Sequence, residues 1–127
     1  MAVPGEDARG KQFEAPPAGH AALYFYRTGI IGGGAAFTVT VGQRAVGQIA
    51  TDTYMRVDLP AGRQDVRCMS GENGESVVVE AAPGSIHYVQ VTARPGLSVG
   101  PRCGVVEQDA AAARAAILST ARAAEIR

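Results

Sequence analysis

The clearest alternation of apolar and polar positions lies in residues 53–67, TYMRVDLPAGRQDVR. Met55, Val57 and Leu59 alternate with Tyr54, Arg56 and Asp58, which predicts a strand with one apolar and one polar face. Pro60-Ala61-Gly62 follows. Proline presets φ for a turn, and glycine can take the positive φ that closes one. Beyond it Val66 and Cys68 alternate with Asp65 and Arg67, so the pattern predicts a hairpin. A hairpin cannot bury its apolar face alone, so other strands must cover it.

The same reading finds those strands. Residues 21–28, AALYFYRT, are apolar on both faces until Arg27, as in a central strand. A glycine-rich loop, residues 29–34, separates them from the half-buried alternation of Phe37, Val39 and Val41 with Thr38 and Thr40. Gly42-Gln43-Arg44 turns the chain into residues 45–50. Gly71-Glu72-Asn73-Gly74 is a strong turn signal, and Val77, Val79 and Ala81 share a face after it. Pro83-Gly84 suits the central pair of a type II turn. Residues 86–93 form the next strand, and residues 102–107 a short last one. Seven to eight short strands at regular spacing predict a mainly β fold. The expected form is an antiparallel β-sandwich, immunoglobulin-like or Greek-key, with a barrel as the alternative.

The period then changes. Asp109 can cap a helix, and the alanine-rich run after it has high helix propensity. Ala110, Ala113, Ile117, Ala121 and Ala124 fall on one stripe. A helix closing the sandwich through Ala113, Ile117 and Ala121 is expected, against one that projects toward a partner or a second copy. The domain reading is a flexible tether over 1–18 in which only Phe13 can dock, a β-sandwich over 19–108, and a helix over 109–127.

At 127 residues the chain fits one domain. Its 12 basic and 12 acidic residues balance, so nothing electrostatic points to nucleic acid or to a strongly anionic membrane surface. Sixteen glycines and seven prolines agree with many turns. No run approaches the ~20 apolar residues of a membrane span. No signal peptide is visible, which fits a cytosolic protein or one whose export signal is missing from this sequence.

Catalytic chemistry has little support in the sequence. The histidines are His20 and His87, and there is no Gly-x-Ser-x-Gly elbow. Residues 29–34 lack the Gly-Lys-Ser/Thr of a phosphate-binding loop and lead into a strand. Two cysteines without clustered histidines are too few for zinc, so neither metal nor cofactor is expected. Tyr24, Tyr26, Arg27, Tyr54 and Arg56 are the candidate binding patch, since tyrosine and arginine dominate binding hot spots. On neighbouring strands they would present a surface to a glycan or protein; ordinary cross-strand packing is the rival reading.

ALYFYR at 22–27, FTVTVGQRAVGQI at 37–49, TYMRVDLPAGRQDV at 53–66 and SVVVEAAPGSIHYVQV at 76–91 follow one another in an order that resembles a family of bacterial envelope lipoproteins. That family is catalogued only as a domain of unknown function. The resemblance covers roughly residues 12–108. It implies a small sandwich domain behind a lipoprotein signal, with Met1 at or near the place of the acylated cysteine that this chain lacks. It carries no catalytic residues. The expectation is a non-catalytic envelope module, a monomer, held at a membrane only through its lipid anchor. A small hydrolase or a cytosolic interaction domain is the alternative.

Cys68 and Cys103 both alternate with the inward-facing valines Val66 and Val105. As the only cysteines they pair without leaving an odd thiol, and an envelope location would supply the oxidising compartment such a bond needs. A disulfide is therefore expected, with two unconnected core thiols as the rival.

Overall fold

Alternating β-branched and aromatic positions build nearly all of the regular structure. In the computed structural model, which describes residues 13–28, 36–71, 73–94 and 101–122, the strands are β1 (His20–Arg27), β2 (Phe37–Val41), β3 (Arg44–Ile49), β4 (Thr53–Pro60), β5 (Gly62–Met69), β6 (Gly74–Ala81), β7 (Ile86–Arg94) and β8 (Arg102–Gln108). Helix α1 (Ala110–Leu118) and the short strand β9 (Ala121–Arg122) follow.

The strands form two sheets, ordered β8-β7-β1-β4-β9 and β3-β2-β5-β6. Their inner faces meet in one core, to which Leu23, Phe25, Met55, Val57 and Val89 contribute from the first sheet and Val39, Val46, Val66 and Val79 from the second. The sandwich is thus as the alternation implies. Most pairings are antiparallel, but β1 runs parallel to β7 and β9 runs parallel to β4, so the first sheet is mixed. Strand β1 sits in the middle of that sheet, and residues 21–27 are all buried. Leu23 and Phe25 enter the core; Tyr24 and Tyr26 lie under other chain segments.

The stretch 53–67 is two strands but not a hairpin. Strand β4 pairs with β1, whereas β5 pairs with β2 and β6. The chain changes sheets at Pro60–Gly62, where Gly62 takes φ 139°. Met55, Val57 and Leu59 therefore share the sandwich interior with Val66 and Cys68. This arch lets two apolar faces bury each other, whereas a hairpin would have left both on one side in need of cover.

The other turns follow their signals. Ser70 and Asn73 close the β5–β6 hairpin, with Ser70 N donating to Asn73 O at 2.8 Å. At Pro83-Gly84, Gly84 has φ 80° and Ser85 N donates to Ala82 O at 3.1 Å, a type II turn. The glycine-rich loop 29–34 lies outside the described residues.

Asp109 caps α1, its Oδ1 accepting from Ala112 N at 2.9 Å. The helix is shorter than the alanine run suggests. The Ser119 and Thr120 hydroxyls donate to Ala116 O and Ile117 O at 2.7 Å each, taking the carbonyls that a further turn would use. Ala121 and Arg122 then pair with Thr53 and Tyr54 at the edge of β4. The docking stripe is thus cut to Ala113 and Ile117, both fully buried, and Ala124 lies outside the described residues.

Candidate functional site

The register brings four of the five proposed patch residues together. Tyr24 is opposite Arg56 and Tyr26 opposite Tyr54 across the β1–β4 pair. Tyr88, on β7, is level with Tyr24 on the other side. The Tyr24 ring stacks between Tyr88, centroids 5.4 Å apart, and Tyr54, 6.1 Å apart. These residues face away from the main core, and they do not face solvent. Ala113 and Ile117 of α1 cap them as a second apolar cluster, with Phe13 packed against its edge. Tyr24 and Tyr54 are 0% exposed and Arg56 only 9%.

Two guanidinium groups donate to the hydroxyls of Tyr24 and Tyr88. Arg56 Nη1 donates to Tyr24 OH at 3.0 Å and its Nε to Asp58 Oδ1 at 3.1 Å. Burial disfavours the Arg56 charge, but the Tyr24 hydroxyl and the Asp58 carboxylate more than offset this, and its pKa lies above the ordinary arginine value. Arg114 Nε donates to Tyr88 OH at 2.8 Å, and its guanidinium lies 5.1 Å from the Phe13 ring centroid. Burial, and secondarily the Asp109 carboxylate, raises the pKa of Tyr26.

Arg27 does not belong with the others. One residue out of phase, it enters the main core, lies 4.3 Å from the Phe37 ring centroid and donates from Nη1 to Ile49 O at 3.2 Å. It ties β1 to the opposite sheet, and burial lowers its pKa. The five residues are thus one packed aromatic layer and one core tie, with no shared surface for a ligand.

Elsewhere the structure joins the two cysteines as expected and brings together other residues that the sequence left apart. Cys68 on β5 and Cys103 on β8 are disulfide-bonded across the two sheets, Cα atoms 6.2 Å apart. The Asn73 side chain holds the same place. Its Nδ2 donates to Cys103 O at 3.0 Å and its Oδ1 accepts from Cys103 N at 2.9 Å, as a neighbouring strand would. At the opposite end of the interior, His87 lies between Ser85 and Glu107, 2.9 Å from each. Ser85, in the turn before β7, and His87 are two apart, which the sequence does show; Glu107 becomes a partner only through the β7–β8 register, in which it is level with Val89. His20 opens β1, and its Nδ1 lies 3.0 Å from Ala18 O.

These features define a small, mixed β-sandwich domain whose sheets are joined covalently and whose second aromatic layer is sealed by a helix. Among the described residues no group of three or more His, Cys, Asp or Glu side chains is placed to hold a metal ion. The chain belongs to the family described as protein of unknown function (DUF2846), whose model matches residues 17–102. It is also similar to an uncharacterized protein of Haemophilus influenzae (strain ATCC 51907 / DSM 11121 / KW20 / Rd), with 24% identity over 100 residues. The match covers 79% of this chain and 60% of that relative's length.

Proposed function

We propose that this domain is a cell-envelope module, periplasmic and lipid-anchored in its precursor, that acts as a binding or structural element. The Cys68–Cys103 bond between the sheets carries this reading, because such bonds persist in oxidising compartments and are rare in the cytosol. The resemblance of the sequence to envelope lipoproteins supports it. An envelope protein or glycan is the proposed partner. With the tyrosine layer buried, it would meet the outer face of β3-β2-β5-β6, where Gln48, Arg67 and Ser76 are exposed.

The test is fractionation of cells expressing the full-length gene product, followed by thiol alkylation of the unfolded, unreduced protein. Recovery in the envelope fraction with no reactive thiol is expected. Two reactive thiols, or recovery with the cytosol, would overturn the reading. Sedimentation at two concentrations should give a monomer. A second reading, a small hydrolase, has one observation in its favour, the contact of Ser85 and Glu107 with His87.

A further inference from the structure

Val89 and Val91 lie on the same side of β7 as His87 and are fully buried, whereas His87 stands at the mouth of the interior with its side chain 20% exposed. Its Nε2 is 2.9 Å from Ser85 Oγ and its Nδ1 2.9 Å from Glu107 Oε2. Nucleophile, base and orienting carboxylate in a chain of hydrogen bonds is the arrangement that activates a serine. The three come from a type II turn and two paired strands, so backbone structure fixes their relative positions. We propose that Ser85 is a nucleophile with His87 as its general base, that Glu107 is a positioning residue, and that this end of the sandwich hydrolyses small carboxylic esters. The proposal goes beyond the binding reading and does not depend on it.

The proton inventory allows this. Ser85 Oγ is also 2.6 Å from Ala82 O, and its single proton can point to that carbonyl or to His87. Ala82 O already accepts from Ser85 N, so turning the hydroxyl toward His87 leaves no carbonyl unsatisfied. With Nδ1–H donating to Glu107, Nε2 of neutral His87 is the acceptor that the attack requires. Ser85 Oγ then adds to the ester carbonyl carbon as its proton passes to His87 Nε2. The tetrahedral intermediate collapses, and that proton leaves with the alcohol. Water attacks the acylated Ser85, giving one proton to His87, and the carboxylic acid departs as Ser85 Oγ recovers the proton.

The site also sets its own limit. Ser85 N and Gly84 N are committed to Ala82 O and His20 O, so neither is free to stabilise the developing oxyanion. Losing one such donor costs roughly 10²–10³ in rate. Reactive esters are therefore the substrates, and amides are not.

The experiment uses the oxidised full chain with p-nitrophenyl acetate as substrate and a tagged fluorophosphonate as active-serine probe. Labelling of the Ser85 peptide is expected, with both labelling and hydrolysis lost in Ser85→Ala. His87→Ala should lower kcat/KM on the order of 10²-fold or more. Glu107→Gln should lower kcat and leave KM unchanged, and Glu107→Asp should recover part of the loss. Urea midpoints for each variant separate these effects from unfolding. Hydrolysis unchanged in Ser85→Ala, or no Ser85 label beyond that on denatured protein, would overturn the proposal and reduce the three residues to a hydrogen-bonded tie. Neither result bears on the fractionation test, so the two readings fail separately.

Discussion

At the scale of single residues, the polar groups of the tyrosine layer are matched too closely for a surface awaiting a ligand. Tyr24→Phe removes the acceptor of a buried guanidinium hydrogen bond. Bonds to charged groups contribute ~1.5–3 kcal/mol, so the urea midpoint should fall with the m value unchanged. Tetranitromethane should spare Tyr24 and Tyr54 in the folded protein and modify them after unfolding; fast nitration in the native state would mean the layer opens. A second residue-scale demand falls on Gly104. A Cβ there would lie 2.7 Å from Thr92 Oγ1 and 3.1 Å from Glu75 Oε1. Gly104→Ala is expected to cost about 1–3 kcal/mol by overpacking, and Thr92→Ala in the same chain should restore part of it. The tyrosines and Arg56 were legible as a set from their spacing alone. Their burial was not, because Phe13 and Ile117 read as docking residues but carry no local mark of what they dock on.

At the scale of elements, alternation located every strand from β1 to β8, because period two records only which side of a strand is apolar. It does not record which strand supplies the hydrogen bonds. Residues 53–67 show the difference: the inward sets Met55, Val57, Leu59 and Val66, Cys68 stand as the pattern implies, yet their strands belong to opposite sheets. The parallel pairing of β1 with β7 was likewise invisible, since it depends on four changes of sheet in the chain between them. Helix α1 makes the energetic test. A nine-residue helix is too short to persist undocked, so its structure and the seal over the tyrosines rest on Ala113 and Ile117. Ile117→Ala should cost about 2–5 kcal/mol, and Ile117→Asp more, through an unpaired buried charge. Helical ellipticity should fall and tyrosine nitration rise together in Ile117→Asp. An unchanged melting temperature would show that the seal contributes nothing to the fold.

At the scale of the molecule, two sheets joined by short crossings must be kept face to face, and the devices for this sit at separate places. Arg27 reaches from β1 to Ile49 O of the opposite sheet. Asn73 and the disulfide bind β8, the edge of the first sheet, to β5 and the β5–β6 hairpin of the second. The bond spans a sequence separation of 35 residues, and a loop of that size removes unfolded-state entropy worth roughly 3–4 kcal/mol. Domains of this kind are stable by only ~5–15 kcal/mol, so the bond is a large share. Because that stabilisation acts on the unfolded chain, reduction should leave the fold in place and lower its melting temperature, by an amount on the order of 10 °C. The paired Cys68→Ala, Cys103→Ala chain should melt near the reduced protein, since Asn73 still holds Cys103 or its replacement through backbone atoms. Adding Asn73→Ala removes that last tie and should lower the midpoint further. Identical melting with and without reductant, in a sample whose unreduced form titrates no thiol, would show that the disulfide adds nothing to the hold on β8.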